Sequence, residues 1–269
     1  MTDTNAGELL QLARQVASEA AALVQARRAA GVSVAATKSS DVDIVTEADR
    51  ASEELIQRLI RAARPDDGFV GEEGGAASGS TGVRWIVDPI DGTVNFLYGL
   101  PQYAVSIAAE LDGQVVAGVV RNAATGVEYA ATRGGGATRD GRPIGVRAPA
   151  PLARRLIFTG FNYDAEVRTA QAVAAARLLP RVRDLRRLGS CALDLCHVAE
   201  GAADGYVEEG VHEWDYAAGA LIAEEAGARV EVLAGQCGRP AVVCAPSHGF
   251  DEFLSAVRDS GFLLENSLG

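Results

Sequence analysis

The stretch WIVDPIDGTVNF, residues 85–96, limits what this chain can fold into more than any other. Trp85-Ile86-Val87 is a short apolar run bounded by turn residues, which reads as a buried strand. Pro89 holds Asp88 extended, so the strand is expected to stop at Asp88 with its carboxylate projecting from the sheet edge. Asp91 follows three residues later across a tight turn, and then Gly92 and Thr93. Gly92 allows close backbone approach, and Thr93 is placed to open a short helix whose free N–H groups form an anion site. Asp88, Asp91 and a carbonyl between them, that of Ile90, put three hard oxygens near one point, a set that suits Mg²⁺. A D-x-x-D-G turn with a threonine cap is also ordinary surface chemistry, so further carboxylates must decide.

Three other places supply them. GEE at 71–73 ends the apolar run Phe69-Val70 and sets Glu72 or Glu73 at a neighbouring strand end. EWDYAAGALIAEEAG puts Asp215 in the first turn of a helix, behind Trp214, where it equally fits a helix cap. Asp49 lies in the first turn of a helix capped by Thr46 and has the same two readings. Spacing alone does not bring these places together.

The rest of the chain supplies the frame. Residues 6–30 carry Leu9, Leu12, Val16, Ala20 and Leu23 at helical spacing, and Gly31 ends that helix. The polar stretch KSSDVDIVTEAD, led by Lys38, precedes the second helix. From 83 to 146, short apolar runs separated by Asp112-Gly113 and Asp140-Gly141 read as an antiparallel meander. Ala148-Pro149-Ala150-Pro151 marks a boundary between an N-terminal lobe, 1–147, and a C-terminal lobe, 152–269, that pack as one catalytic unit. Beyond it strands alternate with helices near 164–178, 190–200, 213–226 and 247–258, which predicts mixed sheets covered by helices. GGAASGSTG, 74–82, reads as a mobile loop beside the opening motif.

Composition narrows the function classes. A net charge of −11 argues against general nucleic-acid binding. An acidic protein still handles an anionic substrate where bound cations invert the local field. No apolar run approaches the ~20 residues of a membrane helix. MTDTNAGELL has no secretory pattern, and a cytoplasmic location is expected. Cys191, Cys196, Cys237 and Cys244 form no zinc-ligand spacing with His197, His212 or His248 and read as reduced thiols.

WIVDPIDGTVNF together with EWDYAAGALIAEEAGARV resembles the two sequence motifs of the inositol monophosphatase family. GEE, KSSDVDIVTEAD and GSCALDL (189–195) fall in that family's order, so the resemblance covers about residues 8–258. It implies an αβαβα layered sandwich and a homodimer. It implies that Glu72, Asp88, the Ile90 carbonyl, Asp91 and Asp215 bind Mg²⁺, with Asp88 bridging two ions. Thr93 and Asp49 would orient the attacking water, with Glu72 close by, and the Gly92 and Thr93 N–H groups would hold the phosphate. Gly189, Ser190, Cys191 and Glu208 would face the alcohol half of the substrate, alongside Asp91 and Asp215.

The activity implied is lithium-sensitive hydrolysis of a phosphate monoester, with myo-inositol monophosphate as the first substrate. Histidinol phosphate, fructose 1,6-bisphosphate, NADP and adenosine 3′,5′-bisphosphate are the substrates of related phosphatases. A regulatory binding protein on the same scaffold is the alternative of another class; its support is the basic cluster Arg177, Arg181, Arg183, Arg186 and Arg187. The chemistry agrees with hydrolysis: ester cleavage needs charge neutralisation, an activated water and a stabilised leaving group, and paired metals supply all three. The D-x-x-D spacing also differs from the D-x-D of phosphatases with an aspartate nucleophile. Trp214 and His212 read as packing residues, and Glu209 as a reference position beside Glu208.

Overall fold

The computed structural model describes residues 5–32, 34–37 and 44–264, with backbone alone at 34–37 and 44, so Lys38 lies outside the described residues. Helix α1 (Ala6–Ala30) starts where Asn5 accepts a hydrogen bond from Gly7 N and ends at Gly31, φ +103°. Strands β1 (Val34–Thr37) and β2 (Ile44–Thr46) pair antiparallel. Helix α2 (Glu47–Ala63) then opens with a reciprocal capping box between Thr46 and Asp49.

The first large sheet is built from β3 (Gly68–Gly71), β4 (Ala76–Ala77), β5 (Val83–Asp91), β6 (Ala104–Leu111), β7 (Gln114–Asn122), β8 (Glu128–Thr132), β9 (Gly136–Arg139) and β10 (Arg142–Pro143). Their spatial order is β10-β9-β8-β7-β6-β5-β3-β4, and α3 (Thr93–Tyr98) follows β5. The second half runs β11 (Leu156–Thr159), α4 (Ala165–Leu178), β12 (Asp184–Arg186), α5 (Cys191–Ala199), β13 (Gly205–Glu209), α6 (Glu213–Glu225), β14 (Ala228–Ala234), β15 (Pro240–Pro246) and α7 (Phe250–Ser260). Its sheet has the order β12-β11-β13-β15-β14.

Helices α1 and α2 cover one face of the first sheet, α5 and α6 lie between the sheets, and α4 and α7 cover the far face of the second. This is the αβαβα sandwich. One apolar cluster runs from Ile86 and Ala108 through Leu195 and Leu221 to Tyr206 and Val242, so both sheets share a core. Each such Leu or Ile contributes roughly 1.5–3 kcal/mol by leaving water, which ties the two sheets into one body.

Two local expectations are corrected. Strand β5 does not stop at Asp88 but continues to Asp91 through an irregularity. Asp88 pairs with Ser106 and Asp91 with Ala104, so β5 advances three residues while β6 advances two. Pro89 has no N–H for the ladder, and the extra residue is a bulge. In a regular strand, residues three apart face opposite sides. The bulge turns Asp88 and Asp91 toward the same cavity. The segment 74–82 is likewise not all loop: Ala76–Ala77 pairs with β3 as an edge strand. Gly79 lies against the backbone of Asp67 and Gly68, an approach that only a missing side chain permits.

Candidate active site

Strands β3 and β5 run parallel with Gly71 beside Val87, so the next residues, Glu72 where β3 ends and Asp88 within β5, lie side by side. Glu72 N donates to Val87 O at 3.2 Å, and Ile90 N donates to Asp88 Oδ1 at 2.9 Å. The parallel register and the bulge thus place Glu72, Asp88, Ile90 and Asp91 on one wall of a cavity of about 260 Å³. Asp215 enters the same cavity from the first turn of α6, where its Oδ2 accepts from His212 N at 2.6 Å. Its capping role and its place in the site are therefore the same fact.

Asp49 is fully buried and lies one hydrogen bond behind this wall. Its Oδ2 accepts from Thr46 N at 2.9 Å and from the Thr46 hydroxyl, and its Oδ1 accepts from Thr93 Oγ1 at 3.0 Å. Thr93 Oγ1 also stands 3.1 Å from Ile90 O. A hydroxyl has one proton, so donating it to either acceptor leaves an oxygen lone pair for the cavity. Gly92, at φ +94°, makes the left-handed turn into α3, and a side chain there would meet Gln102 O at 2.8 Å.

The two halves of the chain meet at Asp91. Ser190 Oγ donates to Asp91 Oδ2 at 2.5 Å, and Ala192 N donates to the same oxygen at 2.7 Å. Ser190, the N-cap of α5, thus lies behind Asp91 rather than on the cavity surface. Asn95 clips the junction: its Nδ2 donates to Gln102 O and Leu188 O at 2.7 Å each and reaches Gly189 O at 3.3 Å.

The remaining wall carries Gly189, Cys191 and Glu208. Glu208 Oε2 accepts from the buried Tyr206 hydroxyl at 2.9 Å. Glu209, by contrast, is buried and accepts from Cys237 N at 2.8 Å and Arg239 N at 3.2 Å, so it is a structural residue and no neutral reference for Glu208. Arg187, Asn162, Tyr163, His212, Trp214 and Arg239 also line the cavity. His212 stacks on Trp214 with centroids 4.8 Å apart, and Trp214 serves the core and the cavity wall together. The basic cluster does not act as one patch. Arg181 bonds Asp259, Arg183 bonds Arg154 O and Arg186 pairs with Asp184, while Arg187 turns to the cavity.

The electrostatics ask for a cation. Burial, then the charges of Glu72, Asp91 and Asp215, push Asp88 well above the usual carboxylate range. Asp215 is pushed well up by burial and by Glu72 and Asp91. Asp91 is pushed up to about 7 by burial, against the hydrogen bonds from Ser190 and Ala192. Carboxylates gathered away from water either hold protons or pair with a positive ion. Among the described residues no three His, Cys, Asp or Glu side chains close into a cage. The donors instead line one shared cavity and are oxygen throughout, the chemistry of a hard cation that keeps several waters. The residues present fit a metal of that kind.

Sequence reading missed Asn95 and the Asn162–Tyr163 pair and read His212 and Trp214 as packing residues ahead of ligand contacts. The available signals were position: Asn162 and Tyr163 follow the carboxyl end of a parallel strand, and His212 and Trp214 flank the capping Asp215. The family model described as "Inositol monophosphatase family" matches residues 5–261. The chain is 44% identical, over 95% of each chain, to a Mycobacterium bovis protein named inositol-1-monophosphatase. It is 35% identical to a Haemophilus influenzae protein named Nus factor SuhB, over 93% of this chain and 96% of that one. The solved structure of Mycobacterium tuberculosis SuhB superposes with a TM-score of 0.84 at 41% identity, covering 97% of this chain and all of that one.

Proposed function

This chain belongs to the inositol monophosphatase family and is a phosphatase, and on that premise we propose that it hydrolyses myo-inositol monophosphate to myo-inositol and phosphate with Mg²⁺. Glu72, Asp88, the Ile90 carbonyl, Asp91 and Asp215 would hold the ions. When bound, they neutralise the transferring phosphoryl group, make the attacking water more acidic and stabilise the departing alkoxide.

The chain's own residues do the rest. The Thr93 hydroxyl, its proton given to Asp49 or Ile90 O, accepts a hydrogen bond from the attacking water and aims it at phosphorus. Thr46 keeps Asp49 in place through the capping box, so the pair is set before substrate arrives. The N–H groups of Gly92 and Thr93, at the start of α3, have no intrahelical acceptor and donate to phosphate oxygens. Ser190 and Ala192 donate to Asp91 Oδ2, which favours its ionised form against burial and keeps the carboxylate in place. Glu208 accepts hydrogen bonds from ring hydroxyls of the alcohol, and Gly189 and Cys191 shape the wall beside it. The new P–O bond comes from water and the ester P–O bond breaks, with no enzyme nucleophile. A cytoplasmic homodimer inhibited by Li⁺ is part of the same proposal.

The observation that supports this reading most is the convergence of four carboxylates from three separate segments on one cavity beside the Thr93–Asp49 pair. Phosphate release from a panel of inositol, histidinol, sugar and nucleotide phosphates with Mg²⁺ tests it. Inositol monophosphate should show the highest kcat/KM. A clear preference for histidinol phosphate or a bisphosphate would replace the substrate assignment and leave the hydrolytic chemistry standing.

A further inference from the structure

Strands β11 and β13 run parallel with Thr159 beside Val207, so Gly160 and Glu208 are neighbours where the strands reach the cavity. A methyl group built on Gly160 would sit 1.8 Å from Glu208 Oε2 and 2.0 Å from its Cδ. The carboxylate occupies the space of the missing side chain. Gly160 is not among the glycines with positive φ, so its backbone does not by itself call for glycine. Tyr206, two residues before Glu208 and on the same face of β13, is fully buried and donates its hydroxyl to Glu208 Oε2. Thr159 Oγ1 donates to Val207 O at 2.7 Å and fastens the two strands just before they reach the cavity.

We propose that Gly160 and Tyr206 are positioning residues that set specificity for the alcohol half of the substrate, by seating the Glu208 carboxylate between an absent side chain and a buried hydroxyl. The inference rests on the polyol reading of Glu208 given above. A carboxylate that reads the spacing of two ring hydroxyls has to be held in place beforehand, because a freely rotating one loses its discrimination to conformational entropy. Any side chain at position 160 displaces it. The displaced atoms are the end of a flexible side chain, so the fold absorbs the change and recognition does not.

The test uses the full chain with Mg²⁺ and compares Gly160→Ala, Tyr206→Phe, Glu208→Gln and the double variant Gly160→Ala/Glu208→Gln. The readout is the ratio of kcat/KM for myo-inositol 1-phosphate to that for p-nitrophenyl phosphate, which offers no hydroxyls. Each single variant should lower that ratio roughly ten- to a hundredfold, chiefly by raising KM for the inositol ester. The double variant should fall no further than the worse single one, since both changes act on one carboxylate. An unchanged ratio in Gly160→Ala beside a lowered one in Glu208→Gln overturns the positioning role alone. So does an additive double variant. An unchanged ratio in Glu208→Gln overturns the polyol reading and this inference with it. If Gly160→Ala lowers the melting temperature, Tyr206→Phe carries the test, and an unchanged ratio there overturns the inference.

Discussion

Asn95 offers the sharpest test of how the two halves of the chain are joined. Its amide is buried and gives its two protons to three carbonyls: Gln102 O, Leu188 O and Gly189 O. Asn95→Ala removes two hydrogen bonds and leaves their acceptors facing no donor, a cost of about 2–4 kcal/mol from the net value of each bond and the penalty for a stranded carbonyl. Asn95→Asp keeps the shape and reverses the chemistry. Ionised, it sets a carboxylate against three carbonyl oxygens; protonated, it has one proton to give.

The folded-state pKa of an aspartate at this position is therefore raised above its unfolded value of about 3.9. Such a group leaves stability intact below that value and removes it as pH rises, by about 1.4 kcal/mol per pH unit until the folded pKa is reached. Asn95→Asp should match or exceed Asn95→Ala in stability near pH 4 and fall below it by pH 8. Urea unfolding from pH 4 to 8 measures this, with tryptophan fluorescence and far-UV circular dichroism followed together to confirm a single transition. An Asn95→Asp protein as stable as Asn95→Ala at pH 8 would refute the carbonyl-clip argument.

Three further outcomes follow from named groups. Glu209→Ala should cost about 2–4 kcal/mol, since it strands Cys237 N and Arg239 N; a melting temperature equal to the parent's would show that water replaces the carboxylate. Asp194 is buried with neither carboxyl oxygen hydrogen-bonded among the described residues, and burial raises its pKa well above the ordinary value. Folding thus loses stability as pH climbs past the unfolded pKa of about 3.9, so Asp194→Asn should raise the urea midpoint at pH 8 and barely change it near pH 4. Equal shifts at both values would contradict that. Li⁺ should inhibit phosphate release, because a monovalent ion in the carboxylate site supplies too little charge; indifference to Li⁺ would separate this chain from the lithium-sensitive branch.

Much of the fold was legible because its signals are local. Thr46 caps the helix that begins beside it, Gly31 ends the first one, and apolar spacing marks the buried faces of α1 and α2. The bulge at Pro89–Ile90 was not legible, because it is defined by pairing with β6 and not by β5 alone. Nor was the scattering of the arginines. Arg186 and Arg187 read alike in sequence, and only the folded chain pairs the first with Asp184 and turns the second to the cavity. The motif carboxylates stood out by type, whereas Asn95 and Gly160 act through partners 93 and 48 residues away, and nothing local marks them.

Phosphate release from myo-inositol 1-phosphate, followed while metal-stripped protein is titrated with Mg²⁺, tests the central claim most directly. The account predicts no release without a divalent ion and a saturable return with Mg²⁺. In Asp91→Asn and Asp215→Asn it predicts rates lower by orders of magnitude, since each variant removes one charged donor from the ion site. Full-rate release from the metal-free protein, or from either variant, would contradict it.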